Sequence, residues 1–306
     1  MKPGIATSPR PSSAEAQPMD AAARTMTAKL KGLLLIALPV LLIAVFLFYP
    51  AVLTILSTVL RKSPDGGTRL TFSSYVFFFS DPYSLANLMR TFWTTFVSLA
   101  LLIAITLPIA LYMRFSRGWL ASLIQGLALF PMFVPGIIVC YALIRYMGPN
   151  GWLQSLLTKV GIPGYHSPYL TPWGPVIGLI WDGMPLALLI LVSGLSNISD
   201  TSIEAARDIG ARKLRILRSI ILPQMKHSLL IVAALNFLGF FGQALMPFML
   251  GPTAPEMMGP FMLRTFASVR DPVQAATQAT ITFMICSIAG LAYVRSVSTR
   301  RAEDIR

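Results

Sequence analysis

The chain has little of what most protein chemistry requires. Among 306 residues there are two cysteines, two histidines and twelve acidic residues. Cys140 and Cys286 fall in separate apolar runs without CxxC spacing, so they read as small core residues rather than a disulfide or a metal pair. His166 and His227 lie far apart and outside those runs, and neither is assigned any chemistry. No His, Cys, Asp or Glu cluster forms within an apolar run, as a membrane-embedded enzyme or a metal centre would need. There is no GxxxxGK[ST] stretch, so the chain lacks a P-loop for nucleotide. Charged residues make up 12% against 55% apolar ones, which excludes an ordinary soluble domain.

What the sequence does have is long charge-free runs. Crossing the hydrocarbon takes roughly 20 helical residues, and lipid offers no partner to an unpaired backbone. The expectation is therefore an all-α polytopic membrane protein. Six spans are predicted: 32–60, containing Pro39 and Pro50; 91–113; 118–146, interrupted by Pro131 and Pro135-Gly136; 173–195; 228–250; and 272–294. Residues 1–28, rich in Pro, Ser and Ala with charges of both signs, read as a disordered tail rather than a cleaved signal. The membrane part then covers 29–306. Between spans, 61–90 reads as a polar connection that turns at 61–67. In 147–172, Trp152, Leu153, Leu156, Leu157 and Val160 recur at helical spacing up to Gly161, which predicts a short amphipathic helix.

Charge placement orients the spans. The N-terminal tail, the 114–117 turn, the 200–227 loop and the C-terminus hold 17 of the 25 Lys and Arg residues. These are Lys2, Arg10, Arg24, Lys29, Lys31, Arg114, Arg117, Arg207, Arg212, Lys213, Arg215, Arg218, Lys226, Arg295, Arg300, Arg301 and Arg306. The positive-inside rule puts that side, and so both termini, in the cytoplasm. The formal charge of +13 is thereby accounted for by the membrane's inner surface, with no need for nucleic acid.

The loop at 200–223 is the charged exception in an apolar chain. Thr201-Ser202-Ile203-Glu204 fits a capping box, Ala205-Ala206 keeps one helix surface small, and Gly210 is placed to end that helix in a left-handed turn. A second helix is expected from about Ala211, with Leu214, Leu217 and Ile221 on one stripe. Pro223 suits the first turn of the following span. A protruding pair of helices meeting at a glycine reads as a docking surface for a cytoplasmic partner. The alternative is a helix pair facing lipid headgroups, with Arg207, Arg212 and Arg218 as simple anchors.

Glu204-Ala205-Ala206, three residues, Gly210, nine residues, then Ile220-x-Leu222-Pro223 resembles the EAA loop of permeases from binding-protein-dependent ABC importers. Weaker agreement over about 88–295 includes Pro108 to Tyr112, Phe133-Val134-Pro135 and Gly148 to Leu153, and is similar to the polyamine, opine and phosphonate branch. The resemblance implies a type I, MetI-like permease of the bacterial inner membrane. It implies a second permease, identical or homologous, two cytoplasmic ATPases on the two loops, and a periplasmic binding protein that delivers solute. ATP and magnesium would be bound by the ATPases, and this chain would hold no cofactor and catalyse nothing. On the loop, Glu204, Ala205, Ala206, Gly210, Ala211, Leu214, Leu222 and Pro223 would form the docking surface. Polyamines, aminoethylphosphonate, opines, thiamine and ferric complexes all remain as solutes.

Within the spans, Asp182 stands out because an intramembrane acid costs about 2.5–3.5 kcal/mol on insertion scales. It is either a contact for a cationic solute or a partner of Arg145 or of backbone near Gly183 and Pro185. Asn236 and Gln243, seven apart with Gly239 between, are predicted to share a face that either lines the path or bonds a neighbouring helix. Phe240, Phe241, Met246 and Met249 read as packing. A stand-alone secondary transporter is the competing reading; it predicts ionisable residues chained through the spans, and Asp182 has no such companions.

Overall fold

The computed structural model describes residue 32 and residues 35–62, 68–116, 118–162 and 164–303. The expectation for residues 1–28 lies outside these. The chain divides into one unit ending at Leu56 and a second from Ser57 onward. Helix α1 (Leu35–Val59) opens with an uncharged apolar run and contains a π turn over Ala44–Phe48. It is followed by a small antiparallel pair, β1 (Leu60–Lys62) and β2 (Thr68–Leu70), in which Leu60 faces Leu70. Sequence reasoning had only a turn there. Next come α2 (Ser73–Ser80), α3 (Pro82–Phe115), α4 (Trp119–Leu129), α5 (Gly136–Met147), α6 (Trp152–Lys159) and α7 (Trp173–Ser196). The chain continues through α8 (Asp200–Asp208), α9 (Lys213–Phe241), α10 (Leu245–Leu250), α11 (Met258–Arg264) and α12 (Pro272–Glu303).

Among the described residues, five helices are long and apolar enough to cross a membrane. A sixth crossing exists if the pair Trp119–Phe133 and Gly136–Lys159, bent by 112°, counts as one. The bend follows from Pro131 and Pro135, which remove backbone donors where the helix would continue. The amphipathic helix expected at 152–160 is α6, and Gly161 after it takes φ +83°.

Two expected span boundaries are corrected. The second span was expected from 91, but α3 begins at Pro82. Asp81 caps it, accepting from Ser84 N at 2.9 Å, Ser84 Oγ at 2.6 Å and Tyr83 N at 3.4 Å, and proline suits the first helical position. The Ser84 hydrogen bonds hold the Asp81 carboxyl below its ordinary value. This cap therefore contributes fully above about pH 3.9, the ordinary aspartate value. Its contribution is lost as pH falls through the lowered folded-state value.

The fifth span was expected to run 228–250. Instead α9 starts in the charged loop at Lys213 and stops at Phe241, before Gly242. Gln243 Oε1 then accepts from Ala244 N at 3.0 Å and Leu245 N at 3.3 Å, starting α10 as a separate helix.

The second unit packs around α7. A core of Leu102, Leu179, Leu188, Leu191, Met225, Val232 and Phe240 joins α3, α7 and α9. A second cluster of Phe78, Leu88, Phe237, Phe241, Met258 and Ile281 joins α2, α3, α9, α11 and α12. The approach of α7 to α9 is set by two glycines. A methyl group at Gly183 would fall 2.5 Å from Asn236 Oδ1 and 2.6 Å from the Phe240 ring, and one at Gly194 would collide with Ser228 Oγ. Small residues at such crossings let helices meet closely in lipid, where no hydrophobic force draws them together.

Replacing Gly183 by Ala is expected to destabilise the detergent-solubilised protein by about 1–3 kcal/mol through overpacking. Gly290→Ala, in a helix with nothing within 4 Å of the added carbon, should be neutral or mildly stabilising. Thermal unfolding of the two variants side by side checks the contrast.

Candidate coupling loop and translocation residues

The loop at 200–223 is a helix, a glycine corner and the start of a longer helix. α8 begins at Asp200, one residue earlier than the expected cap. Thr201 therefore lies inside the helix, and its hydroxyl pairs with Ser199 Oγ instead of a backbone N–H. The capping box does not form. At the other end, Gly210 takes φ +80° and donates to Arg207 O at 2.8 Å, while Ala211 N donates to Ala206 O at 3.0 Å. This is the paired closure in which a left-handed residue satisfies the last carbonyls, and it favours glycine at that position.

The corner has two sides. Ile203, Ile216 and Ile221 are buried against the core, with Ala206 and Ala211 packed beside them. Glu204, Ala205, Gly210 and Pro223 are exposed, and Leu222 is half-buried. Ile209 is 86% exposed and Leu214 57%, so two apolar side chains stand in the open on either side of the glycine. The sequence reading included Leu214 but missed Ile209. A β-branched residue left in water at a corner was the available signal.

Arg114, at the end of α3, is more than a basic flank to the span. It bonds Asp200 at 2.7 Å and Leu195 O at 3.3 Å, tying the start of the loop to the ends of α3 and α7. From the corner, α9 runs on into the apolar part without a break. The junction is a π turn, Leu217–Ile221, in which Leu222 N donates to Leu217 O just before Pro223.

The four polar or small residues singled out for a path separate. Asp182 is exposed on α7 and accepts from Gln243 Nε2 at 3.3 Å. Its partner is thus Gln243, and not Arg145 or nearby backbone. Asn236 is buried, donates to Val232 O at 2.9 Å, and presents Oδ1 to the Gly183 crossing. Gly239 is exposed. Because α9 ends at Phe241, Gln243 is not on the same helix, and the expected shared face does not exist. Among the described residues no group of three or more His, Cys, Asp or Glu is placed to hold a metal ion.

On the opposite end of α3, a network escaped the sequence reading. Glu256 is buried and pairs with Arg264 at 2.6 Å, and Tyr83 Oη donates to Glu256 Oε1 at 3.2 Å. The Glu256 N–H donates to Asn87 Oδ1 at 2.9 Å, and Met258 N to Thr91 Oγ1 at 2.8 Å. The connection before α11 is thereby fastened to α3 by contacts separated by about 170 residues in sequence.

Residues 104–302 match the family described as "Binding-protein-dependent transport system inner membrane component". The chain belongs to that family. Similar permeases include the spermidine/putrescine transport system permease protein PotB of Escherichia coli (strain K12), 23% identical over 79% of this chain and 90% of that protein. The thiamine transport system permease protein ThiP of the same strain is 27% identical over 69% of this chain, which spans only 40% of ThiP. The fold is that of a solved bacterial alginate ABC transporter chain, with TM-score 0.76 at 13% identity over 88% of this chain and 94% of that one. A chain of the MetNI methionine ABC transporter superposes with TM-score 0.55 at 18% identity, over 70% and 94% of the two chains. This protein is accordingly an integral inner-membrane permease component of an ABC importer. The competing reading, a stand-alone secondary transporter, is not favoured.

Severing the Arg114–Asp200 tie with Arg114→Gln should cost about 1 kcal/mol or less, because the pair is partly solvated. Proteolysis within 196–210 should nevertheless quicken, since the loop loses its fastening to α3. Unfolding midpoints and limited-proteolysis rates in detergent test both halves of this expectation.

Proposed function

We propose that this permease forms one transmembrane half of a type I importer, with six spans and both termini in the cytoplasm. Residues 200–223 are then the cytoplasmic surface on which one ATPase of a dimer docks. A second permease, identical or homologous, completes the path, and a periplasmic binding protein supplies the solute. ATP and magnesium belong to the ATPases, and this chain performs no catalysis. The observation that carries the reading is the corner at Gly210, where Ile209 and Leu214 stand exposed while Ile203, Ile216 and Ile221 anchor the same two helices to the core. Apolar side chains held out by a rigid turn suit insertion into a partner's groove. Continuity of the corner with α9 supplies a path for force.

The solute we propose is a small organic cation of the polyamine class. Asp182 is the one carboxylate within the candidate spans, and it is exposed on the chain. A carboxylate at that depth is tolerated where it meets water, a second subunit or a cationic ligand. The named solutes of PotB, spermidine and putrescine, are amines of that kind.

Gly210→Arg should abolish co-purification of the ATPase in mild detergent. Gly210→Ala, which bears the same left-handed backbone cost of about 1 kcal/mol without the bulk, should retain it. If the wild-type permease is stable, transports, and brings down no ATPase, the coupling role fails. For the solute, Asp182→Asn in reconstituted vesicles should weaken polyamine uptake by about 10-fold through loss of a charge-assisted contact. Unchanged uptake would exclude Asp182 from the path.

A further inference from the structure

Between the loop and the end of α3 lies a cavity of about 360 Å³ that the docking role does not use. Its walls are apolar: Phe115 from α3, Ile203 from α8, and Ile216 and Ile221 from α9. Its rim carries Arg207 and Lys213, both exposed. No carboxylate lines the cavity, and the ion pairs found among the described residues, Arg114–Asp200 and Arg264–Glu256, involve neither cation. The nearest acids along α8 are Glu204 and Asp208. The π turn of α9 falls on the wall of this cavity, and Leu217 and Ile221, its first and last residues, both line it. Such widened turns occur often at functional sites.

The lining is therefore two-natured. A water-soluble anion would engage the rim and leave the apolar floor wet. A purely apolar segment would fill the floor and leave two cations facing it unpaired. One class of molecule satisfies both and is abundant where an apolar helix meets water, namely an anionic phospholipid. We propose that this cavity binds one, with its phosphate on Arg207 and Lys213 and an acyl segment against Phe115, Ile203 and Ile216. The bound lipid braces α8 against α3 and α9, so the presentation of the Gly210 corner depends on it. The assignment to the inner leaflet rests on the proposed topology, while the binding itself does not.

The test uses the full-length permease alone in detergent. Native mass spectrometry follows titration with dioleoyl phosphatidylglycerol, with phosphatidylcholine of the same chains, and with sn-glycerol 3-phosphate as competitor. Phosphatidylglycerol should be retained preferentially. The double variant R207Q/K213Q should lose about 30-fold in its retention, taking each cation near the surface at its usual contribution. R212Q/R215Q removes as much charge from the same loop outside this cavity and should change retention little. Leu217→Trp, which narrows the cavity and keeps both cations, should also weaken it. Equal losses in the two double variants would reduce the effect to diffuse surface charge and overturn the proposal. Equal retention of phosphatidylcholine overturns it too. Displacement by sn-glycerol 3-phosphate at matched concentration would mean that phosphate alone binds, which also overturns it. No ATPase or solute enters the experiment, so its failure would leave the importer reading intact, and failure of that reading would not touch this result.

Discussion

The crossing of α7 on α9 at Gly183 organises the middle of this molecule. No side chain larger than hydrogen fits there, because Asn236 Oδ1 and the Phe240 ring occupy the space. Successive helical residues turn by about 100°. Pinning Gly183 inward therefore turns Asp182 out of the contact, toward Gln243. Asn236 is buried in the same crossing, its Nδ2 donating to the Val232 carbonyl of its own helix and its Oδ1 lying beside Gly183 of α7. One close approach thus decides which polar group in the spans is buried and which is left exposed.

A second constraint acts at the charged end. α8 is held at its start by Arg114–Asp200, along its inner side by Ile203, and at its end by the Gly210 closure. Beyond the corner, α9 passes directly into the apolar part. Past the two non-helical residues Ala211 and Arg212, the chain is continuous helix from Lys213 to Phe241, widened only at the π turn Leu217–Ile221. In the proposed importer reading this makes α9 the element that would carry a push from the corner into the apolar part.

The opposite end is fastened differently, through the buried Glu256 with Arg264, Tyr83 and Asn87. A buried carboxylate is tolerable only when its partners are complete, and here Arg264 bonds it through Nε at 2.7 Å while Tyr83 adds a second donor. That network fixes the connection between α10 and α12 against α3, and so gives the face opposite the loop a fixed geometry.

The sequence by itself determined that the chain is helical and membrane-embedded, because charge-free runs of span length leave the backbone no other solution. It also determined the glycine corner, since the spacing from Glu204-Ala205-Ala206 to Gly210 requires one left-handed residue at a helix end. Local chemistry misled where two residues compete for one role. Thr201 looked like a cap, but Ser199 holds that position, and Gln243 looked like part of a helical stripe until Gly242 ended the helix. Tertiary structure alone decided the partner of Asp182, the burial of Asn236, the Arg114–Asp200 tie and the Glu256 network. Apart from the Glu256–Arg264 pair itself, each joins residues from about 50 to 180 positions apart. No periodicity records such pairings, because they depend on which helix faces which, and that is settled by close packing of whole surfaces rather than by local pattern.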